Sequence, residues 1–293
     1  MNTAAAQFPY PWQRCKIIHL VRHGQAMHNV EGDKDRKALL SDHLFDAQLS
    51  PLGLQQVCKL RNDVHASGLL KKIDLVITSP LYRTMQTAMG VFGSESQADG
   101  GNNDKFSAIP SGLNCPPIMA VELCRDRLGQ RPCDMRRRVS ECQDLFPSID
   151  FTMASSLAII YLSVFEVCIV FVYVLIFDGM DQMDSEEDSM WNPDVRESED
   201  EMAARMVLFM EWLWTRPEQE IVIVSHGIIL QHILYVLGND CHPTVRSALC
   251  KRFDNCELRS VVIVDKSLRV ADSPLCSPRE VAKLNVSRGE VSN

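Results

Sequence analysis

The sequence predicts an α/β fold, a three-layer α/β/α sandwich with a mostly parallel sheet, and three observations carry that prediction. Short runs rich in Ile and Val recur along the chain, they are continuously apolar rather than alternating, and capped or amphipathic helical stretches lie between them. A strand covered on both faces has no polar side with which to alternate. Strands that alternate with helices build a layered, mostly parallel sheet. At 293 residues, 46% of them apolar, the chain can bury a core for one sizeable domain or two small ones.

The strand-like runs are KIIHLV (16–21), DLVITS (74–79), IMAVEL (118–123), EIVIVS (220–225) and LRSVVIV (258–264). After the first and before the second, SPLGLQQVCKLRNDVHASG opens on a Ser50 cap and Pro51, and Gly68 stands where a helix would stop. SPLYRTMQTAMG repeats the Ser-Pro opening at Ser79 and Pro80. In RESEDEMAARMVLFMEWLW, Met202, Met206, Phe209, Met210 and Leu213 recur at helical spacing. Residues 93–114 are polar and rich in Gly, Ser and Asn, which reads as a surface loop, and the tail beyond about Ser267 has little periodicity.

Composition narrows the partners. A net charge of -8 excludes nucleic acid as the main one, since phosphate-backbone binding needs a basic face. Any anion site must be a local concentration of positive charge. The eleven cysteines contain no C-x-x-C pair, and the N-terminus lacks a secretory layout, so they read as reduced thiols in a cytoplasmic protein. The nine-residue spacing of Cys115, Cys124, Cys133 and Cys142 matches no zinc framework, and no metal is expected.

Ligands of a parallel α/β sheet gather outside the carboxyl ends of its strands. Three polar clusters fall there: Arg22-His23-Gly24, Ser79 through Arg83, and Ser225-His226-Gly227. Three at equivalent ends point to one shared pocket. Two histidines with two arginines suit a phosphoryl group, because the planar guanidinium fork matches phosphate oxygens and stays charged. A histidine with a free ring nitrogen can attack phosphorus. His19 and His28 read as core or loop residues.

LVRHGQAMHN, SPLYRTMQTA and IVSHG together resemble the histidine phosphatase superfamily, also called phosphoglycerate mutase-like. The order of VELCRDRLGQRPCDMRR and CELRSVVIVD is similar to its plant phosphoglycerate mutase-like proteins, and the resemblance runs from about Cys15 to Asp265. It implies a phosphoglycerate mutase-like fold in which His23 forms a phosphohistidine and Arg22, Arg83 and His226 bind the phosphoryl oxygens. Gly24 and Asn29 fall in the same substrate-phosphate-binding set. Neither cofactor nor metal is implied. Ala26 stands where the family often has Ser or Thr. The family places a carboxylate after the VEL-type strand to protonate the leaving oxygen; Glu122 is favoured, with Asp126 as the alternative acid.

The expected activity is therefore a phosphomonoester hydrolase acting through a phosphohistidine on a small phosphorylated metabolite. Mutase-type phosphoryl transfer shares the first step, and a non-catalytic phosphate-binding relative is the rival from another class. Hydrolysis is favoured because the long basic cap segment associated with the family's glycolytic mutases is missing from the sequence.

One segment interrupts the resemblance. Residues 154–177 carry Glu166 as their single charge, and fifteen of the 24 are Leu, Ile, Val or Phe. At roughly -0.4 kcal/mol each these outweigh a cost of about +3 kcal/mol for one central acid. Judged locally, the segment is long enough to cross a ~30 Å hydrocarbon layer. A crossing would leave His23, Arg83 and Glu122 on one side of a bilayer and His226 on the other, so it excludes the site. Residues 154–180 thus read as an apolar insertion, translated intron sequence in a gene model or a tolerated excursion; membrane association through 154–177 is the alternative. The organisation expected is an extension at 1–14, a histidine phosphatase-like domain at 15–266 and a flexible tail at 267–293.

Overall fold

A computed structural model of the chain describes residues 14–94, 115–152, 186–237, 242–249 and 251–264. Most of the expected extension and loop, the insertion at 154–180 and the tail at 267–293 lie outside the described residues. Among the described residues, those within 17–261 belong to one compact unit, and 14–16 with 262–264 to another.

The elements in chain order are β1 (Cys15–Arg22), α1 (Met27–Lys34), α2 (Pro51–Ala66), β2 (Leu75–Thr78), α3 (Tyr82–Phe92), β3 (Ile118–Ala120), α4 (Val139–Leu145), β4 (Ile149–Asp150), α5 (Glu199–Thr215), β5 (Glu220–Ser225), α6 (Gly227–Leu237), α7 (Pro243–Leu249) and β6 (Leu258–Val264). The six strands form one sheet in the order β4-β3-β2-β5-β1-β6. The pairs β1 with β5, β5 with β2, β2 with β3 and β3 with β4 are all parallel.

Period-two alternation sorts the core into two layers. Val222 and Val224 of β5, with Val76 and Val21, share a buried cluster with Val57, Leu60 and Val64 of α2 and Met85, Ala88 and Phe92 of α3. Ile221 and Ile223 alternate with them and are just as buried, so they face the other side of the sheet. Helices α5 and α6 pack on each other and bury Met202, Met206, Phe209, Ile229 and Ile233. Each such side chain contributes roughly 1.5–3 kcal/mol on leaving water.

Local signals set the helix ends. Ser50 Oγ accepts from the Gly53 N–H at 3.0 Å, Pro51 takes the first helical position, and Gly68 adopts φ +70° beyond the end of α2. At α5, Ser198 Oγ accepts from Glu201 N (3.2 Å) while Glu201 returns a bond to Ser198 N (2.7 Å).

Two expectations are corrected. The run at 118–123 is strand only to Ala120, and Glu122–Cys124 form a 3-10 turn. The second Ser-Pro does not cap its helix: α3 begins at Tyr82 after Leu81, because the Ser79 carbonyl accepts from Thr84 Oγ1 (2.7 Å) and its hydroxyl meets His226. Among the described residues, no helix is long and apolar enough to cross a membrane.

Candidate active site

Register brings the polar clusters level. Arg22 pairs with Ser225, Val224 with Thr78, and Thr78 with Ala120. The next layer is tied by backbone bonds from His23 N to Ser225 O (3.0 Å), Ser79 N to Val224 O (3.1 Å) and Val121 N to Thr78 O (2.9 Å). Four chain segments therefore leave the sheet at one height, at its carboxyl edge.

His23 is buried there, and its Nδ1 lies 2.6 Å from the Gly24 carbonyl. A carbonyl only accepts, so Nδ1 carries a proton. Burial, followed by the charges of Arg83, His226 and Arg22, holds the ring well below the usual histidine range. The ring is thus neutral, and Nε2 keeps its lone pair. Arg22 Nη1 donates to the Phe253 carbonyl at 2.7 Å. A Cβ on residue 227 would lie 3.2 Å from Arg22 Nε, so Gly227 makes room for the guanidinium.

Arg83 is fully buried in the first turn of α3. Its Nη1 donates to Cys133 O (2.6 Å), and Nη2 lies 3.0 Å from Asp126 Oδ2 and 3.1 Å from Asp134 Oδ1. His226 sits between Ser79 Oγ at Nε2 (2.9 Å) and Asp126 Oδ2 at Nδ1 (3.4 Å), with its ring centroid 5.2 Å from that of His23. Burial favours the neutral Asp126 carboxyl, but Arg83 and the Arg127 N–H outweigh it and keep the group ionised below its usual range. Asp134, deeper and beside Asp126, is shifted up by burial and that neighbour.

The two candidate acids diverge. Glu122 is buried, with Oε2 3.0 Å from Arg125 Nη1 and Oε1 2.6 Å from Arg136 Nε. Asp126, not Glu122, reaches Arg83 and His226. Arg125 is also clasped at both nitrogens by Asp188 (2.8 and 2.6 Å). Removing one partner of such a buried pair costs about 3–5 kcal/mol. Arg205 is held by Glu197 (2.8 and 2.7 Å) and donates to the Leu123 and Arg125 carbonyls, which fixes the backbone carrying Asp126.

Three other expected positions have local employment. The Gly24 N–H donates to Thr87 Oγ1 (3.1 Å), and a Cβ there would meet Gly53 O at 2.9 Å; this glycine lets β1 approach α2. Asn29 Oδ1 accepts from Ala26 N (3.0 Å) and its Nδ2 lies 2.9 Å from His28 Nε2. His19 contacts Ser260 and Glu220 on the sheet. His28, read from sequence as core or loop, is buried with its ring 5.8 Å from His23. Sequence reasoning also passed over Asp134, Asp188, Glu197 and Arg205; their signal was an acidic residue opposite an arginine across long separations, which no local pattern reveals. Among the described residues, no cluster of three or more His, Cys, Asp or Glu is placed to hold a metal ion.

A buried, neutral imidazole near two guanidiniums, at the carboxyl edge of a parallel sheet, defines a class: an α/β protein built around a histidine- and arginine-lined site. Residues 18–97 match the family profile described as Histidine phosphatase superfamily (branch 1). Phosphoglycerate mutase-like protein 1 of Arabidopsis thaliana is 47% identical over 283 residues, covering 93% of this chain and 90% of that one. The chain belongs to the histidine phosphatase superfamily. Another Arabidopsis thaliana relative, named Phosphoglycerate mutase-like protein, is 45% identical over 275 residues, 90% of each chain. Among solved structures, the ecdysone phosphate phosphatase from Bombix mori aligns with a TM-score of 0.47 at 15% identity, covering 91% of this chain and 99% of that one.

Proposed function

We propose that the chain is a phosphomonoester hydrolase that passes the phosphoryl group of a small phosphorylated metabolite through His23. The observation that carries this reading is the Nδ1 bond of His23 to Gly24 O, which leaves Nε2 with its lone pair on a ring close to Arg22, Arg83 and His226. In the first step His23 Nε2 bonds to phosphorus as the ester P–O bond breaks. Arg22 and Arg83 balance the charge on the equatorial oxygens, and such preorganised charge is usually the largest catalytic contribution. Asp126 gives its proton to the departing alkoxide. Water then attacks the phosphohistidine and Asp126 recovers the proton, releasing phosphate and neutral His23.

Asp126 is assigned this role in preference to Glu122 because it touches Arg83 and His226, while both Glu122 oxygens face arginines. Without substrate, its carboxylate is held ionised by its pairing with Arg83. A phosphoryl dianion competes for that guanidinium and repels the carboxylate, so substrate binding itself raises the proton affinity of Asp126. The acid is charged by the substrate it serves.

Rephosphorylation of the product at a second hydroxyl, to which the names of the Arabidopsis thaliana relatives point, begins with the same step. Incubation with a labelled phosphomonoester tests the reading: acid-labile label on the wild type, none on His23→Ala, and release of inorganic phosphate support it. Isomerisation of 3-phosphoglycerate without phosphate release would establish the mutase, and a chain that takes no label would be a binding module. We further place the activity in a reducing, cytoplasm-like compartment, a reading supported by the buried thiols of Cys124, Cys133 and Cys142. Residues 154–180 then do not carry the chain across a bilayer. Support for that comes from Arg125 and Asp188, which lie on either side of the segment and pair directly.

A further inference from the structure

The tautomer of His28 is fixed by its neighbour. Asn29 Oδ1 accepts the Ala26 N–H (3.0 Å), so the end of the amide lying 2.9 Å from His28 Nε2 is the NH₂ group. An amide NH₂ only donates. His28 Nε2 is therefore the acceptor, and the ring proton resides on Nδ1. That Nδ1 is buried and meets no acceptor from the protein.

The Nε atoms of Arg22 and Arg83, whose charges act on both His23 and His28, are likewise buried without a hydrogen-bond acceptor. Buried donors are almost always matched, and an unpaired N–H on an imidazole whose ring neighbours that of His23 calls for an acceptor that is not part of the chain. The centroid separation of 5.8 Å between His28 and His23 puts the His28 ring within reach of a group bonded to His23. We propose that His28 is a substrate-contacting catalytic residue whose Nδ1–H donates to a phosphoryl oxygen. The inference rests on the phosphoryl-transfer reading above and adds to it a residue outside the Arg-His-Gly, Arg83 and His226 set. Burial, with Arg83 and His23 adding repulsion, holds His28 well below the usual histidine range, so it is a neutral donor. Asn29 acts through it as a positioning residue.

Two substitutions separate the nitrogens. In His28→Asn the amide nitrogen falls near the old Nδ1; His28→Gln places its amide near the old Nε2, within reach of Asn29, and leaves nothing at Nδ1. Orthovanadate, a mimic of pentacoordinate phosphorus, is the probe, with its affinity measured calorimetrically so that no turnover is needed. The expected result is a loss of about 10²-fold in vanadate affinity and in kcat/KM for His28→Gln, with His28→Asn within about tenfold of wild type. Equal losses in both variants, or wild-type affinity in His28→Gln, overturn the proposal. Nitrogen chemical shifts of ¹⁵N-histidine-labelled wild type provide a check that survives misfolded variants: an Nδ1–H signature for His28 is expected, and an Nε2–H one overturns it. Wild type that binds vanadate yet never labels or releases phosphate defeats the hydrolase reading alone. Hydrolysis by wild type with undiminished vanadate binding by His28→Gln defeats the His28 assignment alone, and a wild type that binds no vanadate defeats both.

Discussion

Asp126 Oδ2 lies 3.0 Å from Arg83 Nη2 and 3.4 Å from His226 Nδ1, so a single carboxylate joins two of the groups proposed to receive phosphate. Asp126→Asn keeps the shape and removes the proton. Its kcat on an alkyl phosphate should fall about 10²- to 10⁴-fold, and much less on para-nitrophenyl phosphate, whose leaving group needs no acid. Glu122→Gln should do the reverse, lowering the urea midpoint by removing the charge that Arg125 and Arg136 share while sparing the leaving-group dependence of the folded fraction. If Glu122→Gln alone flattens that dependence, Glu122 is the acid.

The contrast between those two carboxylates shows where sequence reading stops. Continuous apolarity located five of the six strands, and the Ser50 and Gly68 signals located the ends of α2, because both are local effects. Placing Arg22, Arg83 and His226 together followed from strand ends alone. Glu122 and Asp126 are only four residues apart, and their separation depends on the strand ending at Ala120 and on arginines at 125 and 136 closing over Glu122. The two-residue β4 was too short to show a period. His28 meets His23 through the turn between β1 and α1, a contact no spacing rule encodes.

Stability should fall on mild acidification. His23, His28 and His226 are each held neutral, well below 6.5, first by burial. Between their folded values and 6.5 the unfolded chain binds more protons, so acid pulls the equilibrium toward unfolding. Asp46 acts oppositely: burial raises it from 3.8 to about 6, so protonation favours the fold within that window. Asp134, also raised by burial, acts in the same direction as Asp46, but three histidines outweigh two carboxyls, and urea midpoints should drop as pH falls from 7.5 to 5. A midpoint that rises over this range contradicts the neutral buried histidines. Asp46→Asn should steepen the drop.

Gly24→Ala tests close packing rather than chemistry. The new methyl would sit 2.9 Å from Gly53 O and 3.3 Å from Cys256 Sγ and Leu49 Cδ2, forcing β1 from α2 at a cost of about 1–3 kcal/mol. The shift displaces the adjoining His23, so the melting temperature and the rate of His23 phosphorylation should fall together. Unchanged melting with lost labelling would mean that Gly24 contacts the phosphoryl group itself.

Removing residues 154–180 should leave the site intact. The flanking segments are joined without them: Arg125 pairs with Asp188, Glu186 O accepts from Val139 N (3.2 Å), Glu186 Oε1 accepts from Ser140 N (2.9 Å), and Trp191 Nε1 donates to Arg131 O (3.0 Å). Residues 153 and 181–185 would remain, six residues that can span about 20 Å when extended. Shortening a loop by this much changes its closure entropy by only about 1–2 kcal/mol, and in the folded chain's favour. The shortened protein should therefore keep its urea midpoint and its vanadate affinity, and should cease to partition into membranes if the full chain does so. Loss of both on deletion would mean that the apolar segment packs into the domain as part of its core.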